Sequence, residues 1–376
     1  MKLAIVRQKY TPYGGAERFV ARALDALSAQ GVDVEIVARE WEGGAKGVKC
    51  DPYYLGRTWR DMGFAHCVRQ VIASGRYDLV QSHERIPGCQ IFRAGDGVHA
   101  TWLELSRKPL AWLSPWHRYT LAAEAAMFRH PDLRAVICNS HMVKDDIARR
   151  FPEAAGKLHV IYNGVDLEKF HPRLRDEHRL VIREKVGVGR TVPVILFVGS
   201  GYERKGVATL LEALTRMATR EAEAWIVGRD KDRPYYEQLT RDLGIEQRVH
   251  FLGAQADVRP YYGSADIFCL PTLYDPFPNA ALEALACGLP VVTTTTCGAA
   301  ELIKPGKNGL ICTARDATML AAHLDKLCAP MVATAMIESA RNSVSALTTM
   351  VTVEELLSLY RTLGPAGARE ESGRRL

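Results

Sequence analysis

The chain has 376 residues, 47% of them hydrophobic and 24% charged, with a formal net charge of +6 at pH 7. Single hydrophobic cores stop growing at roughly 250–300 residues, so this length predicts two domains, and the composition excludes a disordered, collagen-like or disulfide-stapled chain. The positive charge is spread without a dense basic stripe, which argues against nucleic acid and suits anionic small molecules or an anionic membrane surface.

No apolar run approaches the roughly 20 residues of a spanning helix. The N-terminal run Leu3-Ala4-Ile5-Val6 is shorter than the about 7–15 residues of a signal-peptide core, so a cytoplasmic location is expected. The nine cysteines are scattered, with no Cys-x-x-Cys pair and no histidine at ligand spacing. Reduced thiols are therefore expected, with neither zinc nor a disulfide framework.

In chain order, Leu3–Val6 reads as a strand, Ala16–Gln30 as a helix ended by Gly31, and Val34–Val37 as the next strand. Further strands are predicted at Leu79-Val80, Gln90–Phe92, Ala135–Cys138 and Leu158–Ile161. The pattern then restarts with the apolar run Val194–Val198, a glycine loop Gly199-Ser200-Gly201 and a helix over Val207–Met217. Strands follow at Ala224–Val227, Val249–Leu252, Ile267–Leu270, Pro290–Thr293 and Leu310-Ile311, and an apolar helical stripe at Val353–Leu363. Two successive series of β-strands and helices predict two Rossmann-like α/β domains with doubly wound parallel sheets. The join is placed between Asn163 and Gly189, giving domains over 1–168 and 169–350, a C-terminal helix over 351–364 and a frayed tail over 365–376.

Three segments carry chemistry. Thr11-Pro12-Tyr13-Gly14-Gly15-Ala16-Glu17-Arg18 follows the first strand and opens the first helix, where glycines allow close backbone approach and free amides face an anion. Gly199-Ser200-Gly201-Tyr202-Glu203-Arg204-Lys205-Gly206 begins like a dinucleotide fingerprint, but Arg204 stands at the third glycine position and no ribose-binding acid follows. Adjacent Arg204 and Lys205 before a helix suit a diphosphate instead. In the third segment, Asp275 and Glu283 flank a helix start at Pro278 and Asn279, which leaves the amides of Asn279, Ala280, Ala281 and Leu282 for a phosphate. Glu283 sits on an otherwise apolar helix, where a carboxylate needs hydrogen bonds such as sugar hydroxyls supply.

These motifs, in order and over about Met1 to Leu363, resemble the retaining glycosyltransferases of family 4, which have the two-domain GT-B fold. Cys138-Asn139-Ser140 with Asp145-Asp146-Ile147, Ile161-Tyr162-Asn163-Gly164-Val165-Asp166 and Cys297-Gly298-Ala299-Ala300-Glu301 add to the match. The resemblance implies two Rossmann-like domains facing a deep interdomain cleft, with the acceptor on the first, the nucleotide sugar on the second, and the C-terminal helix packed back on the first. It implies donor binding by Gly14, Gly15, Gly199, Arg204, Lys205 and Arg229, with Gly15 facing the diphosphate and Arg204 and Lys205 neutralising it. Glu283 would grip the donor ribose and the amides at Asn279–Leu282 would cap the phosphates. The acid that contacts the transferred sugar is usually Glu in this family; here it is Asp275, one methylene shorter.

The N-terminal half looks like the branch that adds glucose to a heptose of the lipopolysaccharide core, on the cues Tyr10–Gly15, Trp41-Glu42-Gly43 and Phe92-Arg93-Ala94-Gly95-Asp96. Asp96 would then be the catalytic-site carboxylate, with His99 and Glu17 as candidate acceptor or sugar contacts. The catalytic set implied is Asp96, Asp275, Arg204 and Lys205. No metal or other cofactor is expected, because cationic side chains and helix amides can stabilise a leaving diphosphate. Asp230-Lys231-Asp232 is read as loop rather than as a metal motif.

Between Trp102 and Arg129 lie three of the six tryptophans, interleaved with Arg107, Lys108, His117 and Arg118. This suits either an anionic membrane interface or a helix–loop–helix whose Trp side chains fill the first domain's core. On the former, the lipid-anchored oligosaccharide acceptor implied by the resemblance would place the chain peripherally on the inner face of the bacterial inner membrane. The expected activity is therefore retaining transfer of a hexose, glucose first, from a UDP-sugar to a core heptose. The alternatives are a family 4 transferase with another nucleotide sugar or a capsule or glycolipid acceptor, a nicotinamide-dependent oxidoreductase, and a non-catalytic sugar-nucleotide-binding protein.

Overall fold

The structure is a computed structural model and describes residues 1–10, 31–41, 46–108 and 110–364. The expected helix over Ala16–Gln30, and with it Gly14, Gly15 and Glu17, lies outside the described residues. The chain divides into two units, Met1–Asn163 with Thr349–Leu376, and Gly164–Thr348. The division falls a few residues before the boundary expected at 168 and again just before the one expected at 350.

The first unit holds β1 (Lys2–Val6), β2 (Lys9–Tyr10), β3 (Asp33–Ala38), β4 (Glu40–Trp41), β5 (Gly47–Lys49), β6 (Leu79–Ser82), β7 (Ile91–Arg93), β8 (Ala135–Cys138) and β9 (Leu158–Val160). Seven of these form a parallel sheet in the order β5-β3-β1-β6-β7-β8-β9, and β2 pairs with β4. Its helices are α1 (Gly56–Ala73), α2 (His99–Ser106), α3 (Pro115–Phe128) and α4 (His141–Arg150). Both faces of the sheet are covered, which is why β6, β7 and β8 read as unbroken buried runs rather than alternating ones.

The second unit holds α5 (Leu174–Val186), β10 (Val194–Val198), α6 (Val207–Arg216), β11 (Glu223–Val227), α7 (Arg233–Asp242), β12 (Val249–Gly253), α8 (Arg259–Ser264) and β13 (Ile267–Leu270). It continues with α9 (Asn279–Ala286), β14 (Val291–Thr294), β15 (Gly309–Cys312), α10 (Ala317–Cys328) and α11 (Pro330–Asn342). Its six strands are parallel in the order β12-β11-β10-β13-β14-β15. The order reverses between β10 and β13, as it does between β1 and β6 in the first sheet. Such switch points leave a crevice beyond the carboxyl ends of the two strands, where α/β sheets bind ligands.

The final helix, α12 (Thr349–Leu363), belongs to the first unit. Val353, Leu356, Leu357 and Tyr360 enter the core cluster that contains Leu3, Ile5, Leu79, Ile91 and Ile137. Buried Tyr360 donates to Gln81 Oε1 at 2.6 Å, and Thr352 Oγ1 donates to the Tyr162 carbonyl at 3.0 Å. No single helix among the described residues is long and apolar enough to cross a membrane.

One expectation is overturned. Cys50, just past β5, and Cys67, on α1, form a disulfide with Cα atoms 5.7 Å apart, within bridging range. Linear spacing hides this pair, because it is the fold of α1 back on β5 that brings the two thiols together; the other seven cysteines are free. Closing a loop of this size is worth about 3 kcal/mol in chain-entropy terms. Thiol titration of the denatured, unreduced chain should therefore count seven free thiols, and nine after reduction. Nine in both conditions would exclude the bridge.

Candidate functional site

The second sheet's switch point is occupied by the segments that follow β10 and β13. After β10 the chain runs through Gly199-Ser200-Gly201 into a tight turn over Tyr202–Lys205, closed at Gly206. The Val207 amide donates to the Tyr202 carbonyl at 3.0 Å and the Gly206 amide to that of Glu203 at 3.2 Å. Gly206 has φ +75°, and a Cβ there would lie 1.9 Å from the Pro271 carbonyl oxygen, so backbone meets backbone at this point. The Arg204 carbonyl accepts from Thr272 Oγ1 at 2.9 Å and from the Leu273 amide at 2.8 Å. The two segments are thus stitched together before any side chain charge is considered.

Lys205 lies across Gly199, where an added Cβ would meet its Cδ at 2.6 Å. Its Nζ donates to Asp275 Oδ2 at 2.8 Å, both side chains being largely shielded from solvent. Asp275 is anchored by its backbone, its amide donating to Thr296 O at 3.1 Å and its carbonyl accepting from Gly298 N at 2.9 Å. Burial by itself would raise the Asp275 carboxyl, but the charges of Lys205 and Arg204 and a hydrogen bond from the Phe277 amide outweigh it and hold the group below 3.8. The half-buried Arg204 guanidinium has no hydrogen-bond partner among the described residues. Two cations therefore face one buried carboxylate, which leaves positive charge for an anionic ligand.

Helix α9 begins beside this pair. Pro278 is its N-cap and supplies no side-chain cap. The Ala281 amide closes a tight first turn on the Pro278 carbonyl at 3.1 Å, so the expectation that all four amides from Asn279 to Leu282 stay free is corrected at Ala281. Glu283 is half-buried, and its Oε2 accepts from the Tyr262 hydroxyl at 2.9 Å, whose single proton also lies within reach of the Ala280 carbonyl at 3.1 Å. Part of the hydrogen bonding expected from a ligand is thus supplied by the protein. Tyr262 carried no signal in sequence, since a single Tyr on a short helix gives no hint of a partner across 21 positions. Arg229 is exposed on the loop after β11. Asp230 accepts from the Tyr202 amide at 2.7 Å and the Asp232 amide at 2.8 Å, so this carboxylate ties the two loops together.

A family model for group 1 glycosyl transferases matches residues 192–329, and one for glycosyltransferase family 4 matches residues 13–169. The chain is a family 4 glycosyltransferase. It is 25% identical to lipopolysaccharide glucosyltransferase WaaG of Escherichia coli K12, over 83% of this chain and 85% of that protein. It is 30% identical to spore coat protein SA of Bacillus subtilis, again over 83% of this chain and 85% of that one. In structure it matches a crystal structure of WaaG with a TM-score of 0.84 at 23% identity, covering 95% of this chain and 99% of that one. It also matches Anabaena HepE in complex with UDP-glucose, with a TM-score of 0.73 at 22% identity, covering 96% and 100%.

In this transferase the first sheet's switch point gathers Arg7 after β1 with His83, Glu84 and Arg85 after β6. Burial, then the charges of Arg7 and Arg93, push the His83 imidazole well below 6.5. Burial raises the Glu84 carboxyl, with the nearby Asp96 adding to the effect. Asp96 itself is exposed on the turn after β7. That turn is clamped from behind: Arg85 donates to the Gly97 carbonyl at 2.9 Å and to Glu124 Oε1 at 2.7 Å. Buried Glu124 also accepts from the His99 amide at 2.9 Å. This Arg85–Glu124 clamp was missed in sequence, because its members lie 39 positions apart with no motif around either. His99 is buried, its Nε2 3.0 Å from His117 Nδ1 and its ring edge-on to Trp116; desolvation, then Arg85, hold the imidazole down at about 3.

The Trp102–Arg129 segment divides its residues between interior and surface. Thr120, Ala123, Glu124, Met127 and Phe128 on α3 are buried. Trp116 donates to Asp61 Oδ2 at 2.7 Å and carries Arg57 3.3 Å above its ring, so it faces the protein. Leu110, Trp112 and Leu113 are exposed. On α1 and just before it, Leu55, Trp59 and Met62 are exposed as well.

Since its folded value lies below 3.8, Asp275 contributes stability that is present above 3.8 and lost as pH falls through the folded value. Lys205→Met removes the larger opposing charge. The stability gap between wild type and this variant, from urea unfolding between about pH 7 and about pH 3, should therefore be widest near neutrality and narrow on acidification. A gap constant across that range would show that the pair does not set the carboxyl's charge.

Proposed function

We propose that this family 4 glycosyltransferase transfers glucose, with retention and without a metal, from UDP-glucose to a heptose of the lipopolysaccharide core. The observation that carries the proposal is the Lys205–Asp275 pair at the β10/β13 switch point, with Arg204 beside it. Breaking a nucleotide–sugar bond requires stabilising negative charge that develops on the leaving diphosphate. Arg204 and Lys205 supply fixed positive charge there, and the start of α9 adds backbone dipoles. Glu283, oriented by Tyr262, grips the donor ribose, and Asp275 turns toward the sugar being transferred. Asp96, assigned by family resemblance, orients the oxocarbenium-like state that the acceptor hydroxyl attacks from the face the diphosphate leaves. The donor is supported by the UDP-glucose complex of HepE and by the glucosyltransferase relative WaaG.

A second reading, a family 4 transferase with a different acceptor, is favoured by the higher identity to spore coat protein SA than to WaaG. A binding screen of UDP-, GDP- and ADP-sugars separates donors, and transfer to core oligosaccharide separates acceptors. Retention is read from the anomeric configuration of the product, and activity after chelation tests the metal-free step.

Loss of Arg204 or Lys205 to Ala should lower turnover by roughly 10²–10³, as loss of an oxyanion donor does; a loss below about threefold refutes their role. Glu283→Gln should mainly raise donor KM, the mark of an interaction made before and during reaction. Asp96→Asn should abolish transfer while UDP still binds.

The exposed Leu110, Trp112 and Leu113, close in sequence to the exposed Arg107, Lys108 and Arg118, fit an anionic lipid surface, where apolar side chains enter the interface and cations meet headgroups. The chain should co-sediment with vesicles containing phosphatidylglycerol and much less with neutral ones. Trp112→Ala with Leu113→Ser should release it. Equal binding to both vesicle types, or binding unchanged in the double variant, removes the membrane assignment.

A further inference from the structure

A second polar site lies at the opposite end of the donor sheet. A cavity of about 270 Å³ opens beside Pro193, Asp266 and Pro290, the residues that immediately precede β10, β13 and β14. The Lys205–Asp275 pair stands beyond the other ends of β10 and β13. Three arginines, Arg175, Arg179 and Arg190, and a single carboxylate, Asp266, line the cavity's polar side.

The charge here is not balanced. Arg175 and Arg179 reach Asp266 Oδ1 at 3.2 and 2.9 Å, and fully buried Arg183 reaches Oδ2 from behind at 2.6 Å. One carboxylate therefore serves three guanidinium groups. Desolvation, with the neighbouring charges of Arg175 and Arg183 adding to it, pulls Arg179 down to about 10, and the remaining donors of Arg175 and Arg179 reach the Ala265 and Ser264 carbonyls. The exposed side chain of Arg190 has no hydrogen-bond partner among the described residues. Guanidinium forks of this kind pair two by two with phosphate oxygens. Tyr262, Leu289 and Ile337 also line the cavity and offer apolar contact to a short carbon skeleton. The volume fits a sugar-sized phosphate monoester.

The cavity also has a mechanical link to the donor site. Tyr262 forms part of its wall, and the hydroxyl of that same ring holds Glu283 Oε2 at 2.9 Å. Cys287, Gly288 and Leu289, which end α9, line it too. One helix therefore has its start at the donor site and its end at the cavity.

We propose that this cavity binds a small phosphate monoester as an effector, and that its occupancy changes affinity for the nucleotide donor through Tyr262 and Glu283. The coupling, though not the binding, rests on the assignment of Glu283 to the donor ribose.

Calorimetric titration of the full chain with glucose 6-phosphate as probe, alone and with saturating UDP, tests both parts. The probe should bind in both conditions. Arg190→Gln, at an exposed side chain that holds no structure, should weaken it by about tenfold or more, the scale of one charge-assisted hydrogen bond. Lys205→Ala should leave probe affinity unchanged. The probe should shift the Kd of UDP, UDP should shift that of the probe by the same factor, and Tyr262→Phe should weaken UDP, leave the probe's own affinity unchanged and abolish the mutual shift. Absence of probe binding under saturating UDP, or binding unaffected by Arg190→Gln, overturns the site. A UDP Kd that is the same with and without bound probe overturns the coupling. If UDP itself does not bind, the donor assignment fails, while the titration of the free chain still decides the cavity.

Discussion

The charge at the second unit's switch point depends on the contact between Lys205 and Asp275. A carboxylate this shielded would ordinarily take up a proton. The charges of Lys205 and Arg204 keep it ionised, and two cations against one carboxylate leave positive charge at the site. The contact is possible only because two glycines let backbones close up. Gly206 brings the turn against the Pro271 carbonyl, and Gly199 gives the lysine stem a path across the strand end. Charge at the site is thus a consequence of backbone geometry set one step earlier.

The first unit uses a different device for a similar end. Asp96 remains at the surface while its turn is held by groups that are themselves out of reach: Arg85 on the Gly97 carbonyl, and Glu124 on both Arg85 and the His99 amide. An exposed carboxylate on a loop is mobile by default. Here the loop's backbone is fixed by a buried ion pair whose own hydrogen bonds are satisfied, which is the condition under which such pairs are tolerated.

The strands of both sheets were legible in the sequence because strands covered on both faces are continuous apolar runs, as at Val194–Val198 and Ala135–Cys138. The start of α9 was legible from Pro278, and its end from Gly288, where the Leu289 amide reaches the Ala284 carbonyl and the Gly288 amide that of Leu285. The Arg204-Lys205 pair stood out because it replaces a glycine that a dinucleotide loop would need. Partners joined by the fold rather than by local spacing were invisible: Cys50 with Cys67, Arg85 with Glu124, Tyr262 with Glu283. Short edge elements such as β5 were missed as well, since three residues carry too little pattern. The tryptophans between 102 and 129 were seen as one group, and only the fold separates Trp116, which holds Asp61, from Trp112, which is exposed.

The contribution of α12 to the first unit's core has a consequence for how the molecule is made. Gly164–Thr348 is one uninterrupted stretch with its own sheet, whereas the first unit is built from both ends of the polypeptide. On a ribosome, synthesis proceeds from the amino end and units fold as their residues emerge. The first sheet appears early but must wait for Val353, Leu356, Leu357 and Tyr360 to cover Leu3, Ile5 and Leu79. The stretch inserted between these parts is complete sooner. The order of maturation is therefore the reverse of the order of translation, and an apolar surface on the nascent first unit stays uncovered until the last helix arrives.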